Sequence, residues 1–265
     1  MNLPKTTQWS LVIGFLLMLT YAFALKNDLL KQADFFIFDL QTKQLAKALS
    51  SDDDIVIITI DDYSLSKMQA IAGMWVWPRS VHAQLVAKLN QRPIKAIVFD
   101  ILFAEQDVYR PDDDAFFNEV LKQSPNVYFA ALQQNITNGG GVAIEEFANL
   151  SMIEKSESAK LNVKASFVLP LAIEQSFWQA GTINFTSDAD GVGRSYDVRR
   201  NIEGWLMPSL AAKVVSGLGK TLPDANKILL QWRGDSQQPF TTYSYVDVYQ
   251  AVIDHDANYL SQFDR

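Results

Sequence analysis

Between Lys5 and Lys26 the chain carries no charged residue. The run from Trp9 to Leu25 is apolar almost throughout. With its uncharged neighbours it reaches the roughly 20 residues a helix needs to cross a bilayer. Trp9 and Tyr21 stand near its two ends, where interfacial aromatics belong. A helix apolar on every face has no polar side to turn to water, so a membrane setting is expected. Two arrangements fit. As an anchor, residues 9–25 span the membrane and residues 1–8 stay in the cytoplasm. As a signal peptide, Lys5 and the amino terminus form a short basic region and Ala22-Phe23-Ala24 offers a cleavage site. Both put the remainder outside the cytoplasm. The anchor is preferred, because the next segment continues as helix without a break.

Residues 26–49 contain no Pro or Gly, and Leu29, Ala33, Phe36, Ile37, Leu40 and Ala48 recur at helical spacing. This predicts an amphipathic helix leading from the membrane into the domain. It either carries movement toward the membrane or simply covers the domain core. The whole chain has a net charge of −7, which repels phosphate backbones and argues against nucleic-acid binding. It has no cysteine, so disulfides, thiol catalysis and Cys-based zinc sites are excluded, and only two histidines. No cofactor motif is present: there is no Gly-rich phosphate loop, nucleophile elbow or His-Glu metal helix.

Beyond residue 50 the pattern is that of an α/β domain. Ile55–Ile60 and Ile94–Phe99 are near-continuous apolar runs, as in strands buried on both faces of a parallel sheet. Between them Pro78 suits a helix start, and Val81, Leu85, Val86 and Leu89 mark one helical face. This β-α-β spacing predicts a parallel crossover. A helix over 112–124 and a strand over 127–132 follow. Asn135–Lys164 is polar, with Gly139-Gly-Gly141, and reads as a long mobile insertion. Thr182–Phe185 and Arg194–Asn201 flank a turn and suggest antiparallel pairing. Pro208 is expected to open another helix, and Ile228–Trp232 to form a further strand.

The segments Ile60-Asp61-Asp62, Trp75-Val-Trp77-Pro78-Arg79-Ser80-Val-His82 and Ala96-Ile-Val-Phe99-Asp100-Ile-Leu-Phe103 stand in an order that resembles the type 2 CHASE domain. So do Gly181-Thr-Ile-Asn184, Asp188-Ala-Asp190-Gly191-Val-Gly-Arg194, Pro208-Ser209-Leu210-Ala211 and Ser244-Tyr245-Val-Asp247-Val248. The resemblance covers roughly residues 27–265. It implies a sensory domain outside the bacterial cytoplasmic membrane, preceded by a transmembrane helix. It also implies a further apolar strand, membrane helices and a cytoplasmic cyclase, kinase or phosphatase output after the domain. The sequence stops at Arg265, ahead of those parts.

Several residues could carry chemistry. Asp61, Asp62, Asp100 and Glu105 lie at or just beyond the carboxyl ends of two strands, where open α/β sheets bind ligands. They could hold a divalent or organic cation; the plainer reading is helix capping and turn formation. Trp75, Trp77 and Arg79 could stack on a small ligand, or form a packed lid with Arg79 paired to one of those acids. His82 could titrate as a pH sensor; an ordinary surface or boundary position is the commoner fate of such a histidine. Asp188, Asp190 and Gly191 lack the rest of a calcium loop and read as a structural turn with Gly191 at positive φ, clamped by Arg194.

The fold expected is α/β, a mixed and mostly parallel sheet flanked by helices and preceded by one transmembrane helix, with residues 50–265 as the domain. The function expected is reception of an unidentified extracytoplasmic ligand, with no catalytic residue and no metal in the domain itself. A homodimer is open to such a protein. The alternatives are a periplasmic metal-assisted hydrolase built on the strand-end acids, and a shortened sensor that pairs with full-length relatives.

Overall fold

The computed structural model describes residues 4–26, 29–47, 52–136, 141–148, 153–233 and 240–264. The chain divides into two units, residues 1–52 with 231–239, and residues 53–230 with 240–265. The first carries helices α1 (Lys5–Lys26) and α2 (Leu29–Lys47). Among the described residues α1 is the one helix long and apolar enough to cross a membrane, over Thr6–Phe23.

The second unit is the α/β domain. It opens with β1 (Val56–Thr59), α3 (Asp62–Ala72), α4 (Arg79–Leu89) and β2 (Ile97–Phe99). Then come α5 (Pro111–Lys122) and β3 (Val127–Gln134). Pro111 occupies the first turn of α5, where its missing N–H costs nothing. β3 is buried over Val127–Ala131, and β2 and β7 (Ala180–Thr182) both pair with it in parallel.

The polar stretch 135–164 is not a bare loop. Within it β4 (Val142–Ala143), α6 (Ile144–Ala148) and β5 (Glu154–Lys155) form, and β6 (Lys164–Val168) follows. Ile144, Phe147 and Ile153 are buried in the main core, which the prevailing polarity of the stretch concealed. Gly139 and Gly140 lie outside the described residues. β6 pairs antiparallel with both β3 and β4.

β8 (Ser195–Asp197), β9 (Arg199–Ile202), β10 (Trp205–Pro208) and α7 (Leu210–Gly217) come next. The chain closes with β11 (Lys227–Leu229), β12 (Thr241–Ser244), α8 (Tyr245–Ile253) and α9 (Ala257–Leu260). β10 pairs antiparallel with β5 and β9, and β11 with β8. The turn at 188–191 therefore does not join two paired strands: β7 before it belongs to β3, and β8 after it belongs to β11. Pro208 ends β10 rather than opening a helix; Ser209 caps α7 by accepting from the Ala212 N–H at 3.2 Å.

The expected mixed α/β architecture is present, with antiparallel pairs taking a larger part than the β-α-β spacing suggested. One pairing differs outright. β1 does not join β2 in a ladder among the described residues; it pairs in parallel with β12, from Val56↔Thr241 to Thr59↔Ser244. β12 is short and lacks an apolar alternation, so its strand-favouring Thr and Tyr are a weak mark on their own.

Two large cores result. One holds Phe99, Phe103, Phe117, Phe129 and Trp205; the other holds Met68, Trp77, Tyr245 and Val248. α4 serves both, giving Ala83 and Val86 to the first and Val81, Leu85 and Leu89 to the second.

Gly181 in β7 lies against the start of α7. A Cβ there would fall 2.6 Å from the backbone of Ser209 and Leu210. Gly181→Ala is expected to destabilise the domain by about 1–3 kcal/mol through overpacking, read as a lower urea midpoint at unchanged slope. An unchanged midpoint would show that β7 is free to shift away from α7.

Candidate functional site

The end of β1 runs directly into α3, and Asp61 stands at that junction in an extended conformation suited to a cap. Its Oδ1 accepts from the Ser64 N–H at 2.7 Å and its Oδ2 accepts from the Ser244 hydroxyl at 2.5 Å. Those bonds, Ser244 foremost, hold the Asp61 carboxyl below its ordinary pKa. The buried Ser64 hydroxyl donates to the Thr59 carbonyl at 3.4 Å and accepts from the Val246 N–H at 3.2 Å. Four hydrogen bonds thus tie the ends of β1 and β12 to the starts of α3 and α8.

The other acids stand apart from this network. Asp62 is exposed in the first turn of α3, where negative charge favours the helix. Asp100 is exposed beyond β2, and Glu105 is exposed in the loop leading to α5. Among the described residues no three His, Cys, Asp or Glu side chains gather closely enough to hold a metal ion.

The Trp-Val-Trp-Pro-Arg segment lies between α3 and the start of α4. Trp75 is 42% exposed and meets the fully buried Trp77 edge to face, with centroids 5.0 Å apart. Pro78 occupies the N-cap position of α4 without a side-chain bond, and Arg79 is the first helical residue. The Arg79 guanidinium is buried over the Phe103 ring, 5.1 Å from its centre. Its Nη2 donates to the Glu105 backbone carbonyl at 3.4 Å, and its Nε lies 3.9 Å from Asp114 Oδ1. Burial lowers its pKa, opposed by Asp114 and Asp107.

The acid facing Arg79 is therefore Asp114 of α5, not one of the strand-end carboxylates. Asp114 also accepts from the Asp107 N–H at 2.7 Å, and Asp107 in turn accepts from the Tyr109 and Arg110 N–H groups at 3.1 Å. One charged chain thereby organises the 105–110 loop around the start of α4. Asp112, Asp113 and Asp114 together look like ordinary first-turn acids, so sequence offered no sign that Asp114 faces inward.

His82 corrects the expectation of a surface or boundary residue. It is fully buried one turn into α4, and the Tyr245 hydroxyl lies 2.9 Å from its Nδ1. Trp77, Phe99, Phe103 and Tyr245 ring it at centroid distances of 6.3, 5.7, 5.5 and 5.7 Å. Burial, then the nearby Arg79 charge, lowers its pKa to about 3, so it is neutral at ordinary pH. Burial thus weighs against a pH switch near neutrality at this residue. The sequence offered no sign of this, because the burial of α4 in two cores shows only in the structure.

At the turn, Gly191 adopts φ +82°. Arg194 donates to Asp188 at 3.1 Å and to both Asp190 oxygens, at 2.9 and 2.7 Å. Arg194 is the chief reason the Asp190 pKa falls to about 2. The geometry is that of a closed structural clamp, because the carboxylates already face a buried guanidinium.

Helices flank the sheets, and polar networks tie the strand ends to the helix starts beside them. The model of the CHASE2 domain family matches residues 12–264, and the chain belongs to that family, whose members are sensory extracellular domains of signalling proteins. No curated protein and no solved structure matches the chain.

The burial of His82 has a pH signature. The unfolded chain binds its proton near pH 6.5, the folded domain only near 3. Stability is therefore fully present above pH 6.5 and falls on acidification, by up to about 1.4 kcal/mol per unit. His82→Asn is expected to flatten the fall between pH 6.5 and 4.5 in urea denaturation. A slope equal to that of the parent would assign it to another group. Asp190 acts lower, contributing stability above its unfolded pKa near 4 that is lost as pH falls toward 2.

Proposed function

We propose that this domain is the extracytoplasmic input of a bacterial transmembrane signalling protein. α1 anchors it in the cytoplasmic membrane, residues 50–265 lie outside, and a bound stimulus shifts it between two arrangements read by a cyclase, kinase or similar output. The observation that carries this reading is the reach of the sensory-family match, which takes in the apolar α1 together with the α/β domain. The strand-end acids do not converge as a hydrolase would need, so nothing favours an enzyme over a receptor.

The stimulus site is centred on Trp75. Its half-exposed indole packs edge-on against the buried Trp77, while exposed Asp62 starts α3 and exposed Asp100 and Glu105 follow β2. Such a surface suits a small organic ligand with a flat or cationic part, held by stacking and by carboxylates.

Alkaline phosphatase fused after Asp264 is expected to be active, and a cytoplasmic reporter at the same position silent. The reverse pattern would overturn the compartment. A thermal-shift screen of divalent ions, small amines and carboxylates is expected to yield a stabilising compound, with a shift that grows as RT ln(1 + [L]/Kd). Trp75→Ala should abolish that shift while lowering the unliganded melting point little. A shift that survives Trp75→Ala, Asp100→Asn and Arg79→Ala together would place the site elsewhere.

A further inference from the structure

A buried N–H without an acceptor is unfavourable, because it has given up water and gained nothing in return. Trp77 Nε1, Arg79 Nε and His82 Nε2 are all in that position among the described residues, and all belong to the segment that opens α4. Trp77 and His82 are fully buried and Arg79 is 8% exposed. They also stand close together. The Trp77 and His82 rings are 6.3 Å apart, and the Arg79 guanidinium and the His82 ring both lie against Phe103, at 5.1 and 5.5 Å from its centre. Asp114 Oδ1, itself without a partner, is 3.9 Å from Arg79 Nε, beyond hydrogen-bond length.

All three nitrogens are donors. Those of indole and guanidinium only donate. The His82 tautomer follows from Tyr245, which burial keeps protonated and whose hydroxyl lies 2.9 Å from His82 Nδ1. That hydroxyl donates to Nδ1, so the ring proton sits on Nε2. Trp75 lies over the group. Its ring is 42% exposed and packs on Trp77 at 5.0 Å and on His82 at 6.4 Å. Its neighbours Met74 and Val76 are 76 and 49% exposed, so little packing opposes a swing of the indole away from His82.

We infer that the ligand of the Trp75 site carries a planar oxygen acceptor, a carboxylate or an amide carbonyl, which takes up the N–H groups of Trp77, Arg79 and His82 as Trp75 moves aside. The inference rests on reading Trp75 as the stimulus site, and it names the chemistry that site recognises. A flat ligand stacks on the displaced indole and turns its oxygens inward. Binding then satisfies donors that the unliganded domain leaves unused. The contact is made in one arrangement and not in the other, as a stimulus that shifts an equilibrium requires. A ligand that only donates has no such contact to make, because it meets three N–H groups.

Benzoate, benzamide and benzylamine share one ring and differ in the group it carries. They are compared on the full chain in detergent, at millimolar concentration, by thermal shift. Benzoate or benzamide is expected to raise the melting point and benzylamine to leave it unchanged. Which of the first two acts tells a charged acceptor from a neutral one. In the unsubstituted chain with isotope-labelled indoles, the Trp77 Nε1–H resonance is expected to move downfield with the active probe, a readout that depends on no variant folding. Trp77→Phe, which keeps a ring and removes the N–H, is expected to weaken Kd for that probe by about three- to tenfold. Stabilisation by benzylamine alone, no shift with any of the three, or binding that leaves the Trp77 resonance in place overturns the proposal. Binding lost in Trp75→Ala but equally tight in Trp77→Phe removes the inward acceptor and leaves the Trp75 site standing. Binding that survives Trp75→Ala removes the site itself.

Discussion

α4 packs into both large cores and keeps only the stripe of Ser80, Gln84, Ala87 and Lys88 toward solvent, and the domain is arranged around that constraint. Ala83 and Val86 fill one core while Val81, Leu85 and Leu89 fill the other. The polar His82 sits between them, with the Tyr245 hydroxyl on its Nδ1 and aromatic rings from both cores around it. A buried imidazole is tolerable only while neutral and hydrogen-bonded. Loss of the Tyr245 contact would therefore be felt in both cores at once, because the same ring packs against each.

The second constraint is closure of the chain on itself. β1 and β12 come from the two ends of the α/β domain, and their parallel ladder brings α8 against α3 and α4. Parallel strands cannot be joined by a tight turn, so this pairing is a long-range contact that closes nearly the whole domain and bears the entropy of doing so. The Asp61 carboxylate completes it by accepting from Ser244 across the ladder. Its role as a cap and its role as a cross-strand tie are one geometry, since the same group that starts α3 ends the strand pair.

Much of this was legible in sequence where the signal is local and contiguous. The apolar runs leading into Asp61 and Asp100 gave β1 and β2, Pro78 marked the start of α4, and the spacing from Asp188 to Arg194 identified the clamped turn. Where a partner lies far along the chain, the signal disappears. Arg79 faces Asp114, which looks like any acid in a helix's first turn. β12 is Thr-Thr-Tyr-Ser, with no apolar alternation to announce it. Ile144, Phe147 and Ile153 are few among polar residues, so composition hid their place in the core. Trp75 and Trp77, neighbours in the sequence, do pack edge to face, and Asp61 bonds Ser64 and Ser244 in keeping with the plainer reading of it as a helix cap.

The β1–β12 ladder has a mechanical consequence. The chain reaches β1 from the α2 side and leaves β12 toward α8, and the two strands run in the same direction. A pull on the segment ahead of Val56, opposed by one on the segment behind Ser244, loads the ladder in shear. All of its hydrogen bonds then bear the force together, instead of parting one after another as in peeling. While the ladder holds, tension between those two segments is carried by its strands and bypasses the chain folded between them.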